Sequence, residues 1–356
     1  MPHLLSIISD QAVPNLHFIK QFQQPGCFYL FVTTQEMENK KVTQNLIEAL
    51  QLDLKHCRKI LIDANDASLI QRQLEQFNFS KEAEYLINLT GGNKLMSQMV
   101  YQHFQAYTSS MYYAPIGSAS YQQLFPDVKQ LPKNPEVNIS LAEYLEAYGF
   151  MIESSLDYFE GTPKPEILMK KLLQEGHPSR VPVISRATQQ EYKDEDKNYL
   201  MGTWFELYCY KVFRDAFELA NTQIACNVKI RRKDSTSPYE HDNEFDLMFI
   251  FQNDLYVMEC KVFPTENLKI EKVSTPMFKL ASLTKNFGLK CKKYLAILGG
   301  ITQVPQARTQ LENLQITLGI EKILEMEDFK NYSGRELLSI NLHQKLDALL
   351  EKFNQK

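Results

Sequence analysis

Along the first third of the chain, short apolar runs alternate with stretches of helical spacing. Residues 4–8 read as a first strand ending in Ser9-Asp10-Gln11, and a helix opens near Pro14, where the missing proline N–H leaves no helical bond unmade. Residues 27–33 form a second apolar run, and residues 36–50 carry helical spacing through Val42, Leu46 and Ala49. Residues 59–63 and 84–89 are further strands, each followed by a helix, over 67–77 and from Thr90-Gly-Gly-Asn-Lys94 through His103. Residues 111–116 make a fifth strand. Such alternation predicts a doubly wound, mostly parallel sheet, whose ligand sites lie beyond the carboxyl ends of its strands.

The second half changes period. Residues 244–251 and 255–262 read as two strands joined by a polar turn at Gln252, Asn253 and Asp254. Side chains alternate across a strand, so Glu244 and Asp246 share one face, as do Glu259 and Lys261. A two-residue loop at Asn253-Asp254 sets Asp246 opposite Lys261. A loop at Gln252-Asn253 sets it opposite Glu259. Either loop gathers all four polar side chains on one face; a three-residue loop splits them. The other face is apolar: Phe245, Leu247, Phe249, Met258, Cys260 and Val262. Upstream, an amphipathic helix from Tyr199 carries Glu206, and residues 224–230 form a strand ending in Arg231-Arg232-Lys233. Downstream come a helical stretch over 265–288, a strand over 294–298, and helices over 304–314 and 336–353.

Pro126, Pro132 and Pro135 mark the exit from the first half, and Ser140-Leu-Ala-Glu143 has capping-box spacing. Residues 140–175 read as a small helical connector, and the charged run over 191–197 as a solvated loop or helix start. The expected domains are 1–135, a connector over 136–198, and 199–356.

With 356 residues, 44% of them hydrophobic, the chain can build two or three cored domains. Its net charge of −4 exerts no global pull on nucleic acid, so any such contact needs a local basic face. Arg231-Arg232-Lys233 is one candidate, and a solvated strand end is the equal alternative. Six cysteines without C-x-x-C spacing or a nearby histidine pair argue against a zinc site or a disulfide framework, and for a reducing cytoplasm. No apolar run is long enough for a signal peptide or a membrane span. Neither a Walker A loop nor a G-x-G-x-x-G fingerprint is present. His241, in a polar loop, reads as a loop residue.

Charges on one face of an apolar hairpin need a partner or a metal. Two carboxylates from neighbouring strands can hold a divalent cation, and a lysine two residues further can reach the same phosphate. The isolated pattern E-x-K is common by chance. A helix Glu, a strand Asp and then E-x-K on the next strand together resemble the PD-(D/E)XK nuclease superfamily, with Phe245 in place of the family's proline. That resemblance implies a restriction-endonuclease-like α/β domain in which Glu206, Asp246, Glu259 and Lys261 are catalytic. Glu206, Asp246 and Glu259 would bind Mn²⁺ or Mg²⁺, with Glu244 as an extra ligand and Lys279 and Ser282 facing the site.

The stretch Asn88-Leu-Thr-Gly-Gly-Asn-Lys-Leu-Met96 resembles the strand-4 loop of CARF domains, the Rossmann-like sensors of type III CRISPR systems. The resemblance implies that a homodimer grips a cyclic oligoadenylate through Thr90, Gly91, Gly92, Asn93, Lys94 and Met96, joined by Ser9, Asp10 and Gln11. On the glycines alone, a tight turn with a solvated Lys94 is the plain alternative. The two resemblances together imply a cytoplasmic nuclease, not membrane-bound, that cleaves DNA and/or RNA when cyclic tetra-adenylate is bound. Two other readings remain: a restriction or repair nuclease with a structural N-terminal half, and a ligand-responsive nucleic-acid-binding regulator acting through residues 140–175.

Overall fold

The structure, a computed structural model, describes residues 2–115, 117–156, 165–175, 199–234, 243–263, 268–289, 291–301, 304–331 and 337–338. The chain divides into two compact units, one of Met1–Met151 with Arg232–Thr236, the other of Ile152–Arg231 with Ser237–Lys356.

The first unit runs β1 (His3–Ile7), α1 (Val13–Phe22), β2 (Phe28–Thr33), α2 (Gln35–Asn39), α3 (Val42–Ala49), β3 (Cys57–Leu61), α4 (Ala67–Gln76), β4 (Tyr85–Asn88), α5 (Lys94–Phe104) and β5 (Ser109–Tyr113). It continues with β6 (Ser120–Phe125), β7 (Lys129–Pro132) and α6 (Leu141–Ala147). The strand order is β3-β2-β1-β4-β5-β6-β7. β1 pairs parallel with both β2 and β4, so the winding reverses there and the loops after β1 and β4 open the crevice expected of such sheets. Buried Leu5, Ile7, Tyr85, Ile87, Val100 and Phe104 form the core beside it.

Two features differ from the sequence reading. The stretch over 36–50 is two helices, broken at Lys41, whose φ is 58°. The Glu38 carboxylate sits at the break and accepts bonds from Thr33 Oγ1 (2.8 Å), Thr43 Oγ1 and Lys59 Nζ (2.6 Å), tying β2, α3 and β3 together. The proline-marked exit holds an antiparallel edge hairpin, β6–β7. Its outer strand is almost wholly exposed and carries no alternating apolar signal. The capping box before α6 is complete: Ser140 Oγ accepts from Glu143 N, and Glu143 Oε2 accepts from Ser140 N.

The second sheet takes β8 (Phe150–Leu156), β9 (Ile224–Arg232), β10 (Asn243–Phe251), β11 (Asp254–Val262), β12 (Cys291–Leu298) and β13 (Ile320–Leu324) in the order β13-β12-β11-β10-β9-β8. Its helices are α7 (Pro165–Glu175), α8 (Trp204–Phe217), α9 (Ile270–Thr284), α10 (Pro305–Leu318) and α11 (Met326–Asn331), with a π-helical turn, Tyr199–Thr203, leading into α8. Residues 140–175 are therefore not all helical, because β8 is an edge strand whose last four residues are exposed, and the polar run Glu153-Ser154-Ser155 hides its period. The helix expected over 336–353 lies outside the described residues apart from Leu337 and Leu338. No described helix is long and apolar enough to cross a membrane.

Candidate active site

Gln252 and Asn253 carry φ of 52° and 62°, the pair of left-handed residues that a tight two-residue hairpin turn requires. The strands pair from Phe251↔Asp254 to Leu247↔Met258, which continues to the register that sets Asp246 across from Glu259. Three polar groups converge there. Asp246 Oδ2 accepts from Cys260 N (2.7 Å) and from Lys261 Nζ (2.9 Å). Lys261 Nζ also lies 2.8 Å from Glu259 Oε1, and Lys279 Nζ, from α9, reaches the same oxygen at 3.1 Å. Glu259 is almost fully enclosed, so the two ammonium groups are what make its charge tolerable in the interior.

The remaining expected residues scatter. Ser282 is exposed, and Glu244 is exposed and pairs with Lys229 at 3.8 Å. Leu247, Phe249, Met258 and Cys260 enter the core beneath α8 as their alternation predicts. Phe245 is the exception, its ring meeting Phe287 instead, and the break in alternation falls at Asp246, where regular pairing stops.

Glu206 stands in the first turn of α8, and one turn further Cys209 contacts Cys260 of β11. Acidic residues are favoured at helix N-termini by about 0.3–1 kcal/mol. Burial overrides that here: together with the charge of Asp246, and against the pull of Lys261, it pushes the Glu206 carboxyl up to about 8. Burial, then the charge of Glu259, also raises Asp246 against the pull of Lys261 and the Cys260 N–H. Lys261 is held above its ordinary value because Asp246 and Glu259 outweigh its own burial.

No three described carboxylate, histidine or cysteine groups surround a common point. The set Glu206, Asp246 and Glu259 is thus not assembled as a metal cage, because Lys261 draws Asp246 and Glu259 onto itself. The donor chemistry nevertheless fits a hard divalent cation, since all three groups offer oxygen. Glu206 Oε2 is buried with no hydrogen-bond partner among the described residues, an orphan that such a cation would satisfy.

A stability prediction follows from Glu206. Its carboxyl is raised in the folded chain, so between its ordinary value and about 8 the folded state holds more protons than the unfolded one. Stability in EDTA therefore falls as pH rises through that window, with Asp246 adding in the same sense. Glu206→Gln is expected to flatten this slope, leaving the part due to Asp246, and to raise the pH 8 melting temperature by about 5 °C or more. Differential scanning calorimetry at pH 5 and pH 8 checks it, and equal slopes in wild type and variant would contradict the assignment.

In the first unit, Gly91 and Gly92 press against the end of β1. A Cβ at Gly91 would stand 1.8 Å from the Ile7 carbonyl oxygen, and Gly92 has φ of 68°. Buried Asn15 and Asn88 brace this corner: Asn15 Nδ2 donates to Ile7 O (3.0 Å), Asn88 Nδ2 to Asn15 Oδ1 (2.7 Å), and Asn88 Oδ1 accepts from Thr90 N (3.1 Å). Thr90 Oγ1 accepts from Ala114 N (2.9 Å). Asn93 caps α5, accepting from Met96 N and donating to Ala64 O.

Met96 is buried, because helical spacing aligns it with Val100 and Phe104 in the core, and its thioether lies against Gly92 of the loop. Lys94 is exposed and in no ion pair among the described residues. At the neighbouring loop, Ser9 Oγ accepts from Gln11 N, and exposed Asp10 pairs with Lys40 at 3.1 Å. Lys40 was not visible in the sequence as a partner for this mouth, since it comes from the helix after β2.

In the basic run that closes β9, Arg231 pairs with Glu153 (2.7 Å) and Lys233 with Glu48 (2.8 Å), while exposed Arg232 lies over the neutral Phe150 ring. His241 lies outside the described residues.

A parallel sheet with a glycine-lined mouth at its switch point, followed by a sheet bearing Asp246, Glu259 and Lys261 on adjacent strands, defines a ligand-sensing nuclease. Residues 4–144 match the Card1 CARF domain family and residues 193–325 the Card1-like endonuclease domain family, so the chain joins a CARF domain to an endonuclease domain. No curated protein matches it. Among solved structures it is similar to Can2 from Sulfobacillus thermosulfidooxidans in complex with cyclic tetra-adenylate, at 19% identity and a TM-score of 0.68, over 92% of this chain and 97% of that one. Protein VC1899 from Vibrio cholerae is 15% identical with a TM-score of 0.72, over 93% and 95% of the two chains. A type III CRISPR defence DNA nuclease activated by cyclic oligoadenylate is also 15% identical, with a TM-score of 0.54 over 88% of this chain and 51% of that one.

Proposed function

We propose that the chain is a divalent-metal-dependent endonuclease of type III CRISPR defence, acting in the cytoplasm as a homodimer switched on by cyclic tetra-adenylate. The observation that carries the catalytic half is the convergence of Asp246, Glu259 and Lys261 on neighbouring strands. Glu206, Asp246 and Glu259 would hold Mn²⁺ or Mg²⁺, which supplies Lewis-acid polarisation of the phosphate and a more acidic water. Lys261 releases one of its two carboxylates and turns its ammonium to the attacked phosphate, offsetting charge as it develops. Lys279 keeps Glu259 compensated while Lys261 does so. Substrate is DNA, RNA or both.

The sensing half is supported by the mouth between the β1 and β4 loops, where Lys94 offers an exposed cation to an anionic ligand. Ring-shaped ligands with repeated phosphates suit two such mouths related by a two-fold axis. Activation requires that the ring bind the active arrangement more tightly than the inactive one.

Calorimetric titration with cyclic tetra-adenylate tests this half, with one ring expected per two chains. Lys94→Ala is expected to weaken binding by about tenfold, or about 1.4 kcal/mol, a reasonable loss for one charge-assisted contact. One ring per chain would contradict the homodimeric site, and unchanged affinity in the variant would remove Lys94 from it.

A further inference from the structure

We propose that Asn227 is a positioning residue of the hydrolytic site: it opens the sheet beside Asp246 and holds the Glu206 carboxylate toward it. The proposal rests on the nuclease reading and assigns a role to a residue that carries no sequence motif.

β9 and β10 pair in a single register from Asn243↔Ile230 to Phe249↔Ile224, with the Asp246–Asn227 pair missing from the ladder. The same register continues on both sides, so no extra residue is inserted and the gap is not a bulge of the ordinary kind. At the gap Asn227 has φ of 48°, in the left-handed region, while its neighbours Cys226 and Val228 are fully buried. A left-handed residue inside a strand costs roughly 1–2 kcal/mol for most side chains and less for Asn. Backbone strain of this sort persists where the surroundings fix it, and it gathers at functional sites.

On the opposite side of β10 the regular pairing ends at Leu247↔Met258, and the Cys260 N–H turns to the Asp246 carboxylate instead. Asp246 is therefore released from both neighbouring ladders. The Asn227 side chain in turn lies beside the Glu206 carboxyl and favours its charged form against the effect of burial, while Glu206 Oε2 has no hydrogen-bond partner among the described residues. A neutral amide suits this place chemically. It fixes the direction of a carboxylate without cancelling its charge, so the charge stays available to a cation. A lysine there would compete with that cation, and an aspartate would repel both Glu206 and Asp246.

The test separates backbone from side chain. Asn227→Gly keeps the left-handed conformation at no steric cost but loses the amide; Asn227→Ala loses both. For Asn227→Gly we expect a melting temperature in EDTA no lower than wild type, with Mn²⁺ affinity by calorimetry weakened about tenfold, in the range seen when partners of metal ligands are removed. Cleavage should fall in step and recover partly at high Mn²⁺, while cyclic tetra-adenylate affinity stays unchanged. Asn227→Ala should show the same loss of Mn²⁺ affinity together with a lower melting temperature.

If Asn227→Gly binds Mn²⁺ and cleaves like wild type, the amide has no role and the proposal is overturned alone. If the wild type itself binds no Mn²⁺, the nuclease reading is overturned and this proposal with it.

Discussion

Asp246→Ala is expected to lower cleavage by about a thousandfold or more while leaving activator binding intact. Asp246 is the hub of the site: its Oδ2 holds both the Cys260 N–H and the Lys261 ammonium. Alanine would strand the Cys260 N–H in the interior, leave Lys261 to Glu259 alone, and remove the central oxygen donor of the carboxylate set. Losing one preorganised electrostatic group at a reacting centre commonly costs about 10²–10³ in rate, and losing a metal ligand adds to that. The sensing mouth lies in the other compact unit, so its affinity for cyclic tetra-adenylate should not change. Cleavage rates and calorimetry on one preparation read both properties. Asp246→Asn, which keeps the shape and can still accept from Cys260 N, serves as the second variant. Full activity in both would remove Asp246 from the chemistry.

Gly91→Ala is expected to act on the opposite property, weakening activator binding by on the order of a hundredfold, roughly 2.7 kcal/mol, without touching basal cleavage. The added methyl would fall 1.8 Å from the Ile7 carbonyl oxygen, which is backbone and already accepts from Asn15. Neither partner can yield by a rotamer change, so the loop must lift from the end of β1. Lifting it pulls Thr90 from Ala114 N and shifts the N-terminus of α5 with Lys94. Titration calorimetry on the variant reads the loss, and wild-type affinity would show that the loop does not line the ligand site.

Much of this was legible in the sequence because the informative residues are local. Period-two alternation alone put Asp246, Glu259 and Lys261 on one face, but it left the loop undecided between two registers. The left-handed backbone at Gln252 and Asn253 made the choice, and neither residue is the glycine that would have announced it. The first five strands were readable from their apolar runs, whereas β6 was not, because buried Gln123 breaks its apolar alternation, and β7 and β8 were not, because exposed edge strands need none. Met96 was assigned to the ligand by its place in a motif, and helical periodicity with Val100 and Phe104 also buries it, beneath Gly92. Arg231, Arg232 and Lys233 look like a basic stripe in one dimension; Glu153 and Glu48, distant in the chain, pair with Arg231 and Lys233, while Arg232 lies over the Phe150 ring and keeps its charge. Asn227 was invisible for a similar reason, since a conformation forced by neighbouring strands leaves no mark on spacing.

The central claim is that a ligand in the first unit governs cleavage in the second. The most direct measurement incubates supercoiled plasmid, single-stranded DNA and single-stranded RNA with the protein and Mn²⁺, with and without cyclic tetra-adenylate, beside Asp246→Ala. Cleavage that depends on the activator and vanishes in the variant is the predicted result, and the substrate consumed identifies the nucleic acid. Equal cleavage with and without the activator would contradict the account.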